Sequence, residues 1–171
     1  MKDAKTNKYY KCSRCFKELK KHEICIIDDA PVCLRCIYGK LRPFEIYPIG
    51  EVKNDLKVAD TGFGTTGEKG ISRIELIESQ RPFLYRLEEE KNITVVYYLH
   101  ETDSVKSVFN RGLDGKKVGV FASRTPYRLS KIAIQDVKLV NIENTTLYVR
   151  GLDAVNGTPI LDIKMKKNNF F

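Results

Sequence analysis

The sequence predicts a mainly β protein in which a small β-barrel follows an N-terminal four-cysteine segment. Three observations support this fold class. Short runs of β-branched and aromatic residues recur from residue 44 onward, with no ten-residue amphipathic helix between them. All five cysteines lie between residues 12 and 36. Pro43 marks a boundary, so we expect a zinc-ribbon-like segment over 1–42 and a barrel domain over 43–171.

The barrel is predicted from six runs that are rich in strand-forming residue types. The runs are Ile71–Ile77, Ile93–His100, Lys117–Ser123, Ile132–Val140, Thr146–Arg150 and Ile160–Lys164. Ile74 and Leu76 fall on one face of the first run, whereas the second is apolar enough to be buried on both faces. A hairpin turn is expected over 141–144. A series of strands without helices favours an antiparallel or mixed barrel over a doubly wound sheet.

Composition excludes several classes of protein. The 171 residues are 42% hydrophobic and 30% charged, a balance typical of globular chains rather than of disordered or collagen-like ones. No apolar run reaches the roughly 18 residues that a membrane-spanning helix needs. The N-terminus lacks the apolar core of a signal peptide. We therefore expect a cytoplasmic protein that has no membrane partner.

The positive charge is concentrated at the N-terminus. The chain has 30 Lys and Arg against 22 Asp and Glu, a net charge of +8. Residues 1–42 hold 11 basic and 5 acidic residues, and the rest of the chain is nearly neutral. This asymmetry is typical of a segment that contacts nucleic acid, although a lysine-rich soluble surface would give it too. Lys11 and Arg14 are the candidate RNA contacts in this segment.

The four-cysteine pattern predicts a structural zinc site. Cys12 and Cys15, then Cys33 and Cys36, form two pairs with two residues inside each pair and 17 residues between the pairs. Four thiolates complete a tetrahedral shell, so the site is closed and not catalytic. Disulfides are disfavoured by the cytosolic expectation and the odd cysteine, and a thioredoxin-type redox pair by the lack of its strand–helix context.

The same segment predicts its own small elements. A strand is expected over 23–27, a turn over 28–31 and a short helix over 33–41. Cys25 lies in an apolar stretch and is interpreted as a buried strand residue, with His22 as a minor alternative ligand.

Few residues of the barrel indicate chemistry by themselves. Arg124 and Arg128 lie four apart after a strand, where they could hold a carboxylate or a phosphate. Asp153 could accept hydrogen bonds from ribose hydroxyls or an amine, or could simply form a turn. Four glycines within 60–70 predict a loop more than a phosphate site, because no helix follows them.

Six stretches of the barrel resemble the TsaA-like family. They are Tyr47–Gly50, Ile71–Leu76, Tyr97–His100, Gly119–Arg124, Gly151–Ala154 and Gly157–Lys164, in family order over 46–165. The resemblance implies a small, commonly dimeric β-barrel. Characterised members are S-adenosylmethionine-dependent N6-methyltransferases that act on threonylcarbamoyladenosine beside the tRNA anticodon.

The resemblance also implies residue roles. Its cofactor contacts fall at His100, Glu101, Arg124, Ile134, Gly151, Leu152 and Asp153. Arg128 and Lys131 lie in the following loop and are candidates for contact with the RNA substrate. No catalytic residue is assigned.

One departure from the family leaves the activity open. The family loop Arg-Pro-Asn-Pro-Ile-Gly is replaced by Arg128-Leu-Ser-Lys-Ile-Ala133, and the usual Arg-Gln-Pro is missing from 60–70. The leading hypothesis is a tRNA methyltransferase whose zinc ribbon assists RNA binding. The alternatives are a non-catalytic S-adenosylmethionine-binding sensor or adaptor, and a protein-docking ribbon on a barrel scaffold.

Overall fold

The structure, a computed structural model, describes residues 8–40, 42–56 and 70–166. The predicted mainly β fold is confirmed. Among the described residues there are twelve strands and one short α-helix, α1 (Leu34–Tyr38). In chain order the strands are β1 (Tyr9–Lys11), β2 (Glu18–Lys20), β3 (Ile24–Ile27), β4 (Ala30–Cys33), β5 (Gly50–Lys53), β6 (Ile71–Leu76), β7 (Asn92–Tyr98), β8 (Val108–Asn110), β9 (Lys117–Gly119), β10 (Ile132–Glu143), β11 (Thr146–Arg150) and β12 (Pro159–Met165).

The chain divides into two compact units. The first comprises Met1–Glu45 together with Asp103–Leu129, and the second comprises Ile46–Thr102 together with Ser130–Phe171. By packing, therefore, 103–129 groups with the N-terminal segment, although in sequence it lies inside the expected barrel domain. The division of the sequence into domains 1–42 and 43–171 stays a prediction.

The second unit contains a closed six-stranded barrel in the order β10-β11-β6-β5-β12-β7, in which every neighbouring pair is antiparallel. Closure leaves no free sheet edge. Alternate residues point inward, as the period of a strand requires. The buried core comprises Val52, Ile74, Leu76, Ile93, Val95, Tyr97, Val137, Leu139, Leu147, Val149, Leu152, Ala154 and Ile160.

The expectation that Ile93–His100 is buried on both faces is wrong. In β7 the side chains of Ile93, Val95 and Tyr97 are buried, whereas those between them are half-buried and Tyr98 is exposed. A barrel has only one interior face, so an apolar strand in it still alternates. Ile74 and Leu76 share the interior face of β6, as predicted.

Gly50 is required where β5 approaches β6. A Cβ added at this position would lie 2.8 Å from the Cα of Leu76 and 2.9 Å from its Cδ2. Real Cβ atoms do not come that close, and the two positions are paired in the sheet. The glycine that ends the Tyr47–Gly50 motif therefore has a packing role.

The turn predicted over 141–144 is displaced. β10 continues to Glu143, and the chain reverses at Asn144 and Thr145, where Asn144 adopts a φ of 56°. Asn tolerates this left-handed conformation better than most residues. The predicted strand over 117–123 is also shorter, because β9 ends at Gly119 and a 3₁₀ turn follows over Val120–Ala122.

The first unit contains three short hairpins and α1 among its described residues. β1 pairs with β2, β3 with β4 and β8 with β9, all antiparallel. Asp28 and Asp29 form the turn between β3 and β4 with positive φ angles of 47° and 63°, so the expected hinge over 28–31 is two residues long. The glycine loop expected over 60–70 lies outside the described residues apart from Gly70. No helix among the described residues is long and apolar enough to cross a membrane.

Candidate functional site

The four predicted metal ligands of the first unit converge. Their Sγ atoms all lie within 4.8 Å of one another. Cys12 Sγ is 3.9 Å from Cys36 Sγ, and Cys15 Sγ is 3.8 Å from Cys33 Sγ. A tetrahedral zinc with Zn–S bonds of about 2.3 Å requires sulfur–sulfur distances of about 3.8 Å. The spacing of the sulfurs therefore fits a zinc ion.

Backbone turns bring the four sulfurs together. The Cys12 N–H donates to the Lys17 carbonyl and the Phe16 N–H to the Cys12 carbonyl, each at 2.9 Å. The Ser13 N–H donates to the Pro31 carbonyl at 2.8 Å, which ties the first cysteine pair to β4. Cys33 then ends β4, and Cys36 lies in α1.

Backbone hydrogen bonds to sulfur favour a thiolate at Cys12. The N–H groups of Arg14 and Cys33 donate to Cys12 Sγ at 3.5 and 3.3 Å, and that of Cys36 donates to Cys33 Sγ at 3.4 Å. Backbone hydrogen bonding, first from Cys15 and then from Cys33, lowers the pKa of Cys12 to about 6 although burial opposes this. The hydrogen bond with the Cys33 side chain, followed by burial, raises the pKa of Cys36 to about 12. A cation that binds all four sulfurs would displace their protons, and it would thereby favour the thiolate form of every cysteine, including Cys36.

The other ligand candidates of the segment lie outside the sulfur cluster. Cys25 is half-buried on β3, paired with Val32, and His22 is exposed. Both predicted RNA contacts are exposed. Arg14 Nη1 donates to the Cys36 carbonyl at 3.4 Å, and Lys11 Nζ lies 5.8 Å from the centre of the Phe16 ring.

A second candidate site lies at one end of the barrel. Because neighbouring strands are antiparallel, the C-terminal ends of β5, β7 and β11 meet the N-terminal ends of β6, β10 and β12. The connections at this end include 54–56, 99–102, 130–131 and 151–158. Topology thus brings together six of the seven predicted cofactor contacts, and Lys131 with them. These are His100, Glu101, Ile134, Gly151, Leu152 and Asp153.

The turn over 151–154 closes this end of the barrel. Gly151 has a φ of 89°, which allows the chain to leave β11 sharply. Leu152 and Ala154 then enter the core, where they are 1% and 3% exposed. The Leu152 side chain is therefore part of the core, and only its backbone can reach a ligand. Asp153 is half-buried between these two residues.

Two residues that sequence reasoning did not assign to the site hold this turn. The Gln135 amide nitrogen donates to the Gly151 carbonyl at 2.6 Å, and its oxygen accepts from the Asp153 N–H at 2.9 Å. The Tyr97 hydroxyl donates to the Asp153 carbonyl at 3.0 Å. Burial, followed by the charge of Asp153, raises the pKa of Tyr97, so the phenol stays protonated. The signal in the sequence is that Gln135 is a polar residue on the interior face of a predicted strand.

A second amide holds the far part of the same connection. Asn54 Nδ2 donates to the Ala154 carbonyl at 2.8 Å and to Ser72 Oγ at 3.0 Å. The Asn54 N–H donates to Asn156 Oδ1 at 3.2 Å. The connection is therefore fixed from both sides before any ligand binds.

The remaining predicted contacts at this barrel end differ in chemical character. Ile134 lies on the outer face of β10 and is 50% exposed, an apolar surface at the barrel end. His100 Nε2 lies 3.8 Å from Glu101 Oε1. Lys131 adopts a φ of 52°, and its carbonyl accepts from the Leu99 N–H at 2.8 Å.

Arg124 and Arg128 belong to the first unit. Arg124 is exposed and has no ion pair among the residues that the structure describes. The Arg128 guanidinium donates to carbonyls of its own loop, to Thr125 at 3.1 Å, to Val120 at 3.3 Å and also to Ser123. Arg128 thus orders the loop that carries Arg124, and its RNA contact stays a prediction.

Most of the barrel sequence matches a known protein family. Residues 63–168 match the family model of the tRNA-methyltransferase O N-terminal domain. The matched stretch is more than half of the chain and includes the turn over 151–154. The four-cysteine segment lies before it.

Curated relatives are similar over the same part of the chain. An S-adenosyl-L-methionine-binding protein of Archaeoglobus fulgidus is 30% identical over 118 residues, which are 68% of this chain and 85% of that protein. A tRNA (adenine(37)-N6)-methyltransferase of Mus musculus is 34% identical over 84 residues, 47% of this chain and 20% of that protein. The chain thus spans most of the archaeal relative and one fifth of the mouse one.

Solved structures share the fold. The crystal structure of TrmO from Pseudomonas aeruginosa has a TM-score of 0.59 and 23% identity, and the match covers 74% of this chain and 57% of that one. At this identity the likeness supports the architecture alone.

Proposed function

Because the chain belongs to the family of the tRNA-methyltransferase O N-terminal domain, we propose that it is an S-adenosylmethionine-dependent methyltransferase that acts on a modified adenosine of tRNA near the anticodon. The family resemblance noted in the sequence is thereby confirmed. The observation that carries the proposal is the family match over 63–168, which contains the fixed turn at the barrel end. Relatives named for S-adenosylmethionine binding and for tRNA methylation support it.

The residues at the barrel end fit the methyl donor. Exposed Ile134 offers an apolar surface for adenine, and the half-buried Asp153 carboxylate offers acceptors for ribose hydroxyls. Gly151 and Leu152 would contribute backbone groups, and His100 and Glu101 polar groups. The role of Arg124 as a partner of the donor carboxylate is proposed from the family resemblance.

S-adenosylmethionine supplies a methyl group that its sulfonium already activates, so the protein needs chiefly to bind and orient the reactants. The turn held by Gln135 and Asn54 suits that task because its backbone is fixed in advance. Transfer of the methyl group to N6 leaves S-adenosylhomocysteine and releases the N6 proton to a weak base or to water, so no strong general base is required of this chain.

The four-cysteine centre is proposed as a structural zinc site that assists RNA binding. Four sulfurs fill the tetrahedral shell and leave no position for a substrate. The ion would supply part of the folding free energy of a segment with a small core of Cys12, Val32 and Cys33. Lys11, Arg14 and, from the barrel, Lys131 are the proposed phosphate contacts, since basic side chains position RNA without reading its sequence.

Calorimetric titration of the full chain with S-adenosylmethionine tests the donor site. We expect saturable binding at one site per chain. An absence of binding at millimolar donor would overturn both the enzyme and the adaptor interpretations.

A second candidate function is a non-catalytic S-adenosylmethionine-binding adaptor. The divergent loop over 128–133 favours it, as does the use of the Arg128 guanidinium to order its own loop. Donor binding without methyl transfer to tRNA would select this alternative. The homodimer implied by the family stays a prediction, which sedimentation equilibrium tests.

A further inference from the structure

The segment over 103–129 is joined to the four-cysteine segment by a short set of contacts. Ile27, at the end of β3, forms a parallel bridge with Val105. The Asp28 N–H donates to the Val105 carbonyl at 3.0 Å. The Asp28 carboxylate accepts from the Ser107 N–H at 2.8 Å and also from the Ser107 hydroxyl. The turn between β3 and β4 therefore holds the start of the following hairpin.

That hairpin, formed by β8 and β9, closes its own turn. The Arg111 guanidinium binds the Asp114 carboxylate, with Nε 3.0 Å from Oδ1. The Arg111 N–H donates to the Lys116 carbonyl at 2.9 Å, and the Lys116 N–H donates to Asp114 Oδ1 at 3.3 Å. Asp114 is thus engaged within the turn and neutralises Arg111.

Two lysines extend from this fixed turn. Lys116 and Lys117 are both exposed. Lys116 Nζ lies 3.9 Å from Asp114, whose carboxylate Arg111 already binds, and Lys117 has no ion pair within the described part of the chain. Lys116 follows the turn and Lys117 is the first residue of β9, so with Arg111 and Asp114 this end of the hairpin has a net charge of +2. Such a tip suits contact with the phosphates of an RNA backbone.

The two units differ more in net charge than residues 1–42 and 43–171 do. By sequence, the first unit holds 17 basic and 8 acidic residues, a net charge of +9, and the second holds 13 and 14, a net charge of −1. Residues 103–129 alone contribute six basic and two acidic side chains. The positive charge therefore belongs to the N-terminal segment and to 103–129 together, and three of the six basic residues of 103–129 lie in the hairpin.

We propose that the hairpin Val108–Gly119 is a second RNA-binding element that contacts the RNA backbone through Lys116 and Lys117. Asp28 holds this hairpin to the four-cysteine segment, so the two elements bind RNA as one surface. The inference rests on the proposed function, since tRNA supplies the polyanion.

The test measures tRNA binding to the full chain by fluorescence anisotropy over a series of salt concentrations. In the double variant Lys116→Ala, Lys117→Ala, the loss of two phosphate contacts should weaken binding about tenfold and lower the salt slope by about 1.5. The matched control Lys91→Ala, Lys138→Ala removes two exposed lysines of the second unit and should change affinity less than about twofold, since their loss breaks no phosphate contact. Equal affinity and an unchanged slope in the hairpin variant would overturn the inference.

Asp28→Asn tests the anchor separately. Removal of a negative charge should by itself tighten binding to RNA, whereas a loosened hairpin should weaken it. We expect about threefold weaker binding with unchanged metal content, in line with the loss of one charge-assisted contact. Tighter or equal binding would contradict the anchoring role. A wild-type chain that binds no tRNA would instead overturn the RNA part of the proposed function.

Discussion

Gln135 is the side chain on which the geometry of the barrel-end turn depends most directly. Its amide uses both polar atoms, one on the Gly151 carbonyl and one on the Asp153 N–H. These partners are 16 and 18 residues away in sequence. They become neighbours only when β10 and β11 pair, so the sequence marks Gln135 as a polar residue on an interior face but does not identify its partners.

Gln135→Ala should weaken S-adenosylmethionine binding about tenfold, because two hydrogen bonds of about 1 kcal/mol each no longer orient the turn. The Kd from calorimetry measures the effect. Lys138→Ala, an exposed change on the same strand, serves as the control and should leave the Kd unchanged. An unaltered Kd in Gln135→Ala would show that the donor does not use this turn.

Gly50→Ala should destabilise the barrel by about 1–3 kcal/mol, the usual cost of forcing an extra carbon into a packed site. The new Cβ would lie 2.8 Å from the Leu76 Cα, and the backbone must move to accept it. Denaturant unfolding measures the change. At Gly70 an added Cβ meets no atom within 4 Å, so Gly70→Ala is the control and should unfold as the wild type does. Equal stability of the two variants would contradict the packing role of Gly50.

At the scale of elements, the four-cysteine segment predicts the zinc content of the purified protein. Purified chain should carry one zinc ion, and Cys15→Ser should lose most of it because three thiolates bind zinc far less tightly than four. Cys25→Ser should keep the ion, since Cys25 lies outside the cluster of four sulfurs. Metal analysis by mass spectrometry measures both. Zinc retained in Cys15→Ser, or lost in Cys25→Ser, would contradict the assignment.

The strands show what sequence patterns can and cannot supply. The run over 146–150 is predicted to its last residue because its inward and outward positions alternate cleanly. β5 has only four residues and β8 only three, too few for a periodicity, and neither was predicted. The strand over 117–123 was predicted too long because its apolar residues continue into a 3₁₀ turn.

At the scale of the whole molecule, the sequence predicted the barrel and the four cysteines whose sulfurs converge, whereas the donor contacts at the barrel end stay predictions. It could not predict that 103–129 packs with the cysteine segment. The contact between Asp28 and Ser107 spans 79 residues and has no local signature. The net charge of +8 thus belongs to a unit made of two separated stretches, with +9 on that unit and −1 on the other.

The central claim is methyl transfer to tRNA, and one assay tests it most directly. The zinc-loaded chain is incubated with methyl-labelled S-adenosylmethionine and tRNA that carries threonylcarbamoyladenosine without its N6-methyl group, and the nucleosides are then separated. We predict label in the N6-methyl group of that nucleoside. Absence of label from the tRNA, under conditions where the same preparation binds both donor and tRNA, would contradict the enzyme assignment.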